Sequence, residues 1–167
     1  MNDRFIIAVD FDGTIVRHRF PHIGEPVPGA IEWLRNFQAL GASLILWTMR
    51  CREGSMGDVL TPAVAYCAHQ GIHFWGVNEN PQQRDSRWST SAKVYAHAYI
   101  DDAAAGTPLV HEDGHFPYVN WSLVGPHVVE ILHWLQTAGK ITPQLGDGLG
   151  LSTKPHVELP ERNLIKL

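Results

Sequence analysis

Two kinds of apolar pattern alternate along the chain. The blocks Phe5–Val9 and Ser43–Trp47 are almost continuously apolar and rich in Ile, Val and Leu, and so read as buried strands. Between and after them, apolar residues recur every three or four positions, the spacing of a helix with one buried face. One such helix follows Pro28-Gly29, carries Ile31, Leu34, Phe37 and Leu40, and ends at Gly41. A second, Met56–Gln70, aligns Met56, Val59, Leu60, Ala63, Val64 and Cys67 and stops at Gly71. His73–Val77 reads as a third strand, and Val94–Ile100 contains a fourth. A last helix, Ser122–Thr137, lines up Val124, Val128, Ile131, Leu132 and Leu135 and is closed by Gly139.

Strands alternating with helices predict an α/β fold with a central parallel sheet covered by helices. Right-handed crossovers in such a fold bring all strand C-termini to one edge, where ligands bind. Asp10, Thr48 and Asp101 each follow a predicted strand and so should meet at that edge. Residues 140–167 differ, with Gly146, Gly148, Gly150, Pro143, Pro155 and Pro160 and little periodicity. The expected organisation is therefore a domain over residues 1–139 and an extended tail over 140–167. The glycines at 146–150 do not make a nucleotide loop, because no strand precedes them and no helix follows. The terminal Leu164-Ile165-Lys166-Leu167 could dock on the body or on another subunit.

A chain of 167 residues suits one domain, which buries roughly two-thirds of its unfolded surface. Its 44% apolar and 18% charged residues are ordinary for a soluble globular protein. The net charge of −4 gives no global attraction to nucleic acid. No basic-then-apolar leader and no membrane-length apolar run is read, so a cytoplasmic location is expected, with no membrane partner. Cys51 and Cys67 lack metal spacing. Cys67 continues an apolar helical series and reads as a reduced core residue, whereas Cys51 borders the candidate site without a base at motif spacing. His18 and His22 share a loop. His111 and His115 flank Asp113-Gly114, where the glycine favours an exposed turn over a zinc site.

The stretch with the clearest chemistry is Ile6-Ile7-Ala8-Val9-Asp10-Phe11-Asp12-Gly13-Thr14-Ile15. A buried strand delivers two carboxylates, one residue apart, into a glycine turn. Side chains alternate along an extended chain, so Asp10 and Asp12 project together and Phe11 turns inward. Burying such anions is costly unless a cation or substrate uses them. Gly13 allows a sharp turn that lets a main-chain carbonyl join the carboxylates around a hard metal ion. These features point to a magnesium-dependent phosphate site.

Asp10-Phe11-Asp12-Gly13-Thr14 resembles the first motif of the haloacid dehalogenase superfamily, most of whose members are Mg²⁺-dependent phosphatases working through an aspartyl-phosphate. The other motifs follow in the family's order. They are Thr48 after the apolar Ser43–Trp47, Lys93, and Asp101-Asp102 after Ala98-Tyr99-Ile100. The likeness spans roughly residues 4–135. Receiver domains use similar parts in another order, with the acidic pair on the first strand. The opening and second motif are similar to those of small capless bacterial and phage-type hydrolases of this superfamily.

The resemblance implies a Rossmann-like three-layer α/β/α fold and a role for each motif residue. Asp10 is the implied nucleophile, and Asp12 the general acid and base. Thr48 would bind a phosphoryl oxygen through its hydroxyl and nearby amides, and Lys93 would balance charge. Asp10, Asp101, Asp102 and the main-chain carbonyl of Asp12 are the implied Mg²⁺ ligands. Asp101 is expected to be direct, with Asp102 reaching the ion through water or serving as a structural partner. Taken singly, Thr48 could merely end a strand, Lys93 could be a solvated charge, and Asp101-Asp102 a turn. Asp58 and Asp85 read as surface charges.

Neither residues 15–28 nor the stretch between Thr48 and Lys93 is long enough to hold a cap domain, so an open site is expected. Arg17, His18, Arg19, Arg50 and Arg52 would rim the pocket and bind an anionic substrate arm, although loop solubility explains them equally well. Phe74 and Trp75 fit core packing, whereas Trp88, in a polar loop, could stack a base. The expected function is hydrolysis of a phosphate monoester, with a phosphorylated small molecule or nucleotide as substrate. Three rivals stand beside it: phosphoryl transfer to another acceptor, processing of nucleic-acid ends, and a non-catalytic binding protein of the same fold. A homo-oligomer, in which a neighbour covers the site, is also compatible with the open cleft.

Overall fold

The computed structural model describes residues 4–86 and 89–142. The expected tail (beyond residue 142) and Trp88 lie outside the described residues. The elements run β1 (Ile6–Val9), α1 (Ala30–Ala39), β2 (Ser43–Leu46), α2 (Leu60–His69), β3 (Gly76–Val77), α3 (Pro81–Ser86), β4 (Ala98–Ile100), β5 (Leu109–Val110), β6 (Tyr118–Val119) and α4 (Trp121–Thr137). Four strands form a parallel sheet in the order β3-β2-β1-β4, so the expected α/β fold with a central parallel sheet is present. β5 and β6 form a separate antiparallel pair.

Both faces of β1 and β2 are buried, as their continuous apolar runs require. Ile7, Val9, Leu44, Leu46 and Ile100 belong to the main core with Leu34 and Phe37 of α1, Ala63 and Cys67 of α2, and Val128 and Leu132 of α4. Ile6 and Ile45 belong to a smaller cluster with Val94, edged by Trp47, Trp75 and Ala96. Phe74 packs against the main core, as a packing role for it requires. Among the described residues, no helix is long and apolar enough to cross a membrane.

Three element boundaries differ from the sequence reading, each for a local reason. α2 starts at Leu60, because the Asp58 carboxylate accepts the Leu60 and Thr61 N–H groups at 3.1 and 2.9 Å. Asp58 is therefore a helix cap, and its pKa is lowered by those amides. β3 starts at Gly76 and not at His73, whose N–H donates to the Gln38 side chain at 2.6 Å, and the chain turns after it at Asn78, at φ 54°, a conformation Asn tolerates. α3 was not foreseen: Pro81 opens it, and the Asn80 side chain accepts the Gln83 N–H at 3.0 Å. Asp85 is exposed and pairs with Arg84 at 2.8 Å.

α1 and α4 approach closely where Gly125 faces Trp33. A Cβ at Gly125 would lie 2.2 Å from the indole ring. The substitution Gly125→Ala should therefore destabilise the fold by about 1–3 kcal/mol, measured by chemical denaturation.

Candidate active site

The site is built by strand register. β1 pairs with β4 so that Val9 lies opposite Ile100, and the Asp10 N–H donates to the Ile100 carbonyl at 2.9 Å. The residues that leave these adjacent strands, Asp10 and Asp101, are consequently neighbours. On the other side Val9 lies opposite Leu46, and the Trp47 N–H donates to the Val9 carbonyl at 2.8 Å. That pairing brings Thr48 and Arg50 towards the turn after Asp10.

The turn itself is tight. The Phe11 carbonyl accepts the N–H groups of Ile15 and Val16 at 2.9 and 3.0 Å, and the Gly13 N–H donates to the Val16 carbonyl at 2.7 Å. Gly13 has φ 78°, and a Cβ there would lie 2.4 Å from His18 Nε2 and 2.6 Å from Asp102 Oδ2. Only glycine satisfies both limits. Thr14 is buried and ties three elements together. Its hydroxyl accepts the Asp102 N–H at 3.1 Å, and its carbonyl accepts the indole N–H of Trp121 at 2.8 Å.

Oxygens of Asp10, Asp101 and Asp102 all lie within 4.8 Å of one another. Burial pushes the Asp10 carboxyl up to about 7, and Asp101, Asp102 and Asp12 add to the rise, while the Phe11 N–H opposes it. Asp101 accepts the Ala103 N–H at 2.7 Å, and Asp102 contacts His18 Nε2 at 2.9 Å. Such an oxygen-only set fits a hard divalent cation, which would relieve the repulsion.

Asp12 lies apart from that set. Arg50 Nε and Nη2 donate to its two oxygens, both at 2.8 Å. The guanidinium also donates to the carbonyls of Pro21 (2.9 Å), His22 (2.8 Å) and Val59 (3.3 Å). All five of its N–H donors are thereby used. The side chain is only 1% exposed and packs against the Phe11 and Phe20 rings. Arg50 was expected on the rim for substrate. It is instead a buried clamp with no donor left over, because an unpaired buried guanidinium would be too costly.

The other expected residues divide. The Thr48 N–H donates to Asn78 Oδ1 at 2.8 Å, and its hydroxyl accepts the Arg50 N–H at 3.2 Å. That amide is therefore taken, while the hydroxyl proton is unassigned. Arg17, also expected on the rim, is engaged by Glu112 at 2.6 and 3.1 Å and stacks over Tyr118. The Tyr118 hydroxyl joins Glu112 at 2.6 Å, and the Arg17 and Tyr118 contacts lower the Glu112 pKa to about 2. Arg52 and Arg19 are exposed, and Arg52 acts electrostatically on Asp58. Cys51 is exposed and Cys67 buried. Lys93 is exposed, and its ammonium lies over the Tyr99 ring at 5.5 Å. The charges acting on Asp10 are those of the three aspartates. His111 and His115 lie in the loop between β5 and β6, and Gly114 has φ 76°. His18, expected on the rim, contacts Asp102 instead, and Thr14, Asn78 and Glu112 shape the site without an expected role.

The fold and site together define an α/β protein whose parallel sheet edge carries a three-carboxylate cluster. A solved structure of a conserved protein from Bacteroides thetaiotaomicron is 35% identical over 76% of this chain and 91% of that one, with a TM-score of 0.57. The chain belongs to the family of that protein. No protein-family model and no curated protein matches the sequence.

Two outcomes follow from these charges. Arg50→Met leaves Asp12 without its partner and should cost about 3–5 kcal/mol in denaturation. Adding Asp12→Asn should recover part of that loss, as a double-mutant cycle would measure. For Asp10, a folded pKa above the ordinary value of 3.8 means that its contribution to stability is complete below about 4. That contribution is lost as pH rises through about 7. Metal-free protein should therefore melt at lower temperature at pH 8 than at pH 5.5, by a margin that shrinks in Asp10→Asn. Millimolar Mg²⁺ should raise the melting temperature more at pH 8.

Proposed function

We propose that this protein is a Mg²⁺-dependent phosphatase of the haloacid dehalogenase type that hydrolyses a phosphate monoester through Asp10. The observation that carries the reading is the convergence of Asp10, Asp101 and Asp102 within 4.8 Å, from the ends of two neighbouring strands. The reading implies a Rossmann-like three-layer α/β/α arrangement without a cap domain, acting in the cytoplasm. On this reading Asp10, Asp101 and Asp102 would hold the ion. When bound, magnesium would supply charge neutralisation for the phosphoryl group and orient one of its oxygens.

The chain's own residues account for the rest. The Asp10 carboxylate attacks phosphorus in line, an Asp10–phosphate bond forms, and the ester oxygen leaves. Asp12 enters the cycle protonated, gives that proton to the leaving oxygen, and is restored by the proton of the water that hydrolyses the acyl phosphate. Arg50 fixes Asp12 in one orientation while each carboxylate oxygen keeps a second lone pair for the transfer. The Thr48 hydroxyl donates to a phosphoryl oxygen. Lys93, engaged at Tyr99, carries no step here, so balancing the charge on Asp10 falls to the cation.

The same covalent chemistry serves transfer to another acceptor, so product analysis separates hydrolysis from transfer. Processing of nucleic-acid ends is weakened because Arg17 and Arg50 are committed to Glu112 and Asp12. The test is hydrolysis of a generic aryl phosphate with and without Mg²⁺. Asp10→Asn should reduce turnover on the order of 10⁴-fold or more, and Asp12→Asn by about 10²–10⁴-fold. Absence of hydrolysis with every divalent metal would favour the non-catalytic binding protein.

A further inference from the structure

Three large exposed apolar side chains are each linked to the acidic cleft through one neighbouring residue. Phe20 is 55% exposed, Met49 95% and Phe116 75%. Each is one residue removed from a cleft carboxylate or hydroxyl. The Arg50 guanidinium that clamps Asp12 lies over the Phe20 ring at 5.3 Å. Met49 sits between Thr48 and Arg50 in the chain. Phe116 stacks on His18 at 5.3 Å between ring centroids, and His18 contacts Asp102 at 2.9 Å. Exposed apolar side chains beside a cleft mark a binding surface more often than exposure elsewhere does.

Charge at the same place limits what can bind. Arg50 and Arg17 are neutralised by Asp12 and Glu112, and the guanidinium of Arg50 has no spare donor. Arg19 and Arg52 are exposed, and Arg52 acts on Asp58. A second phosphate would find neither of these guanidiniums free to bind it. An apolar group would instead lose water against Phe20, Met49 and Phe116.

Resting on the phosphatase reading, we propose that this mouth selects monoesters whose leaving group is uncharged and aromatic or apolar. The phosphoryl group enters the aspartate cluster while the leaving group lies among Phe20, Met49 and Phe116. The reaction is ordinary hydrolysis: the ester P–O bond breaks, water supplies the new P–O bond, and the leaving oxygen takes a proton.

The experiment compares kcat/KM for phenyl phosphate, glycerol 1-phosphate and fructose 1,6-bisphosphate, and calorimetric binding of phenyl- and methylphosphonate with Mg²⁺. Wild type should bind phenylphosphonate about tenfold more tightly than methylphosphonate. Phe116→Ala combined with Met49→Ala should collapse that ratio towards unity. The same change should lower the phenyl phosphate to glycerol phosphate ratio of kcat/KM about tenfold, mainly through KM. Equal phosphonate affinities, or preference for the bisphosphate, would overturn the proposal while leaving the phosphatase reading intact. Rim-dependent phosphonate binding without turnover of any ester would support the apolar mouth and overturn the phosphatase reading.

Discussion

Parallel strands that lie side by side deliver the residues beyond their C-terminal ends to one place, and here β1 and β4 both end in acids. Asp10, Asp101 and Asp102 repel one another in a half-buried setting, which the raised Asp10 pKa records. Holding them together takes specific supports. Gly13 leaves room where any side chain would strike His18 and Asp102. Thr14 accepts the Asp102 amide on one side and the Trp121 indole on the other, so the start of α4 braces the loop. The core thereby offsets the repulsion at the edge.

Arg50 solves a related problem between the loops after β1 and β2. A buried guanidinium is tolerated only when its donors are filled, and this one fills all five from four residues. The result joins Asp12, Pro21, His22 and Val59 into one rigid wall beside the cleft. It also removes a cation from the surface. A positive mouth is thus converted into a neutral one, and Arg17 is turned away in the same manner by Glu112 and Tyr118.

Much of this was legible in the sequence, because strong apolar runs fixed β1 and β2 and their parallel pairing fixed where Asp10, Thr48 and Asp101 emerge. Helical spacing located α1 and α4 for the same reason. Short elements were not legible: α3 and the β5–β6 pair carry too few residues for a period to register. Asn80-Pro81 holds the capping signal of α3. The orientation of long charged side chains was also out of reach. Nothing in the spacing of Arg17, Arg50 and Lys93 told which would turn inward, stack, or pair with an acid across the fold. Such choices depend on long-range partners such as Glu112 and Asp12.

Belonging to a family defined by a conserved bacterial protein fixes ancestry and leaves chemistry to the site. There the balance of charge separates the aspartates into two groups. Asp12 and Asp102 have partners within the chain, Arg50 and His18. Among the described residues Asp10 and Asp101 share no such basic partner, and the Ala103 amide answers only one oxygen of Asp101. A fold that needed these acids for stability alone would gain by pairing them, as it has paired Asp12. Leaving Asp10 half-buried and repelled costs stability at neutral pH, a cost that a cation bound among these carboxylates would relieve. Under the proposed function, the carboxylate least comfortable in the free protein is the one that attacks.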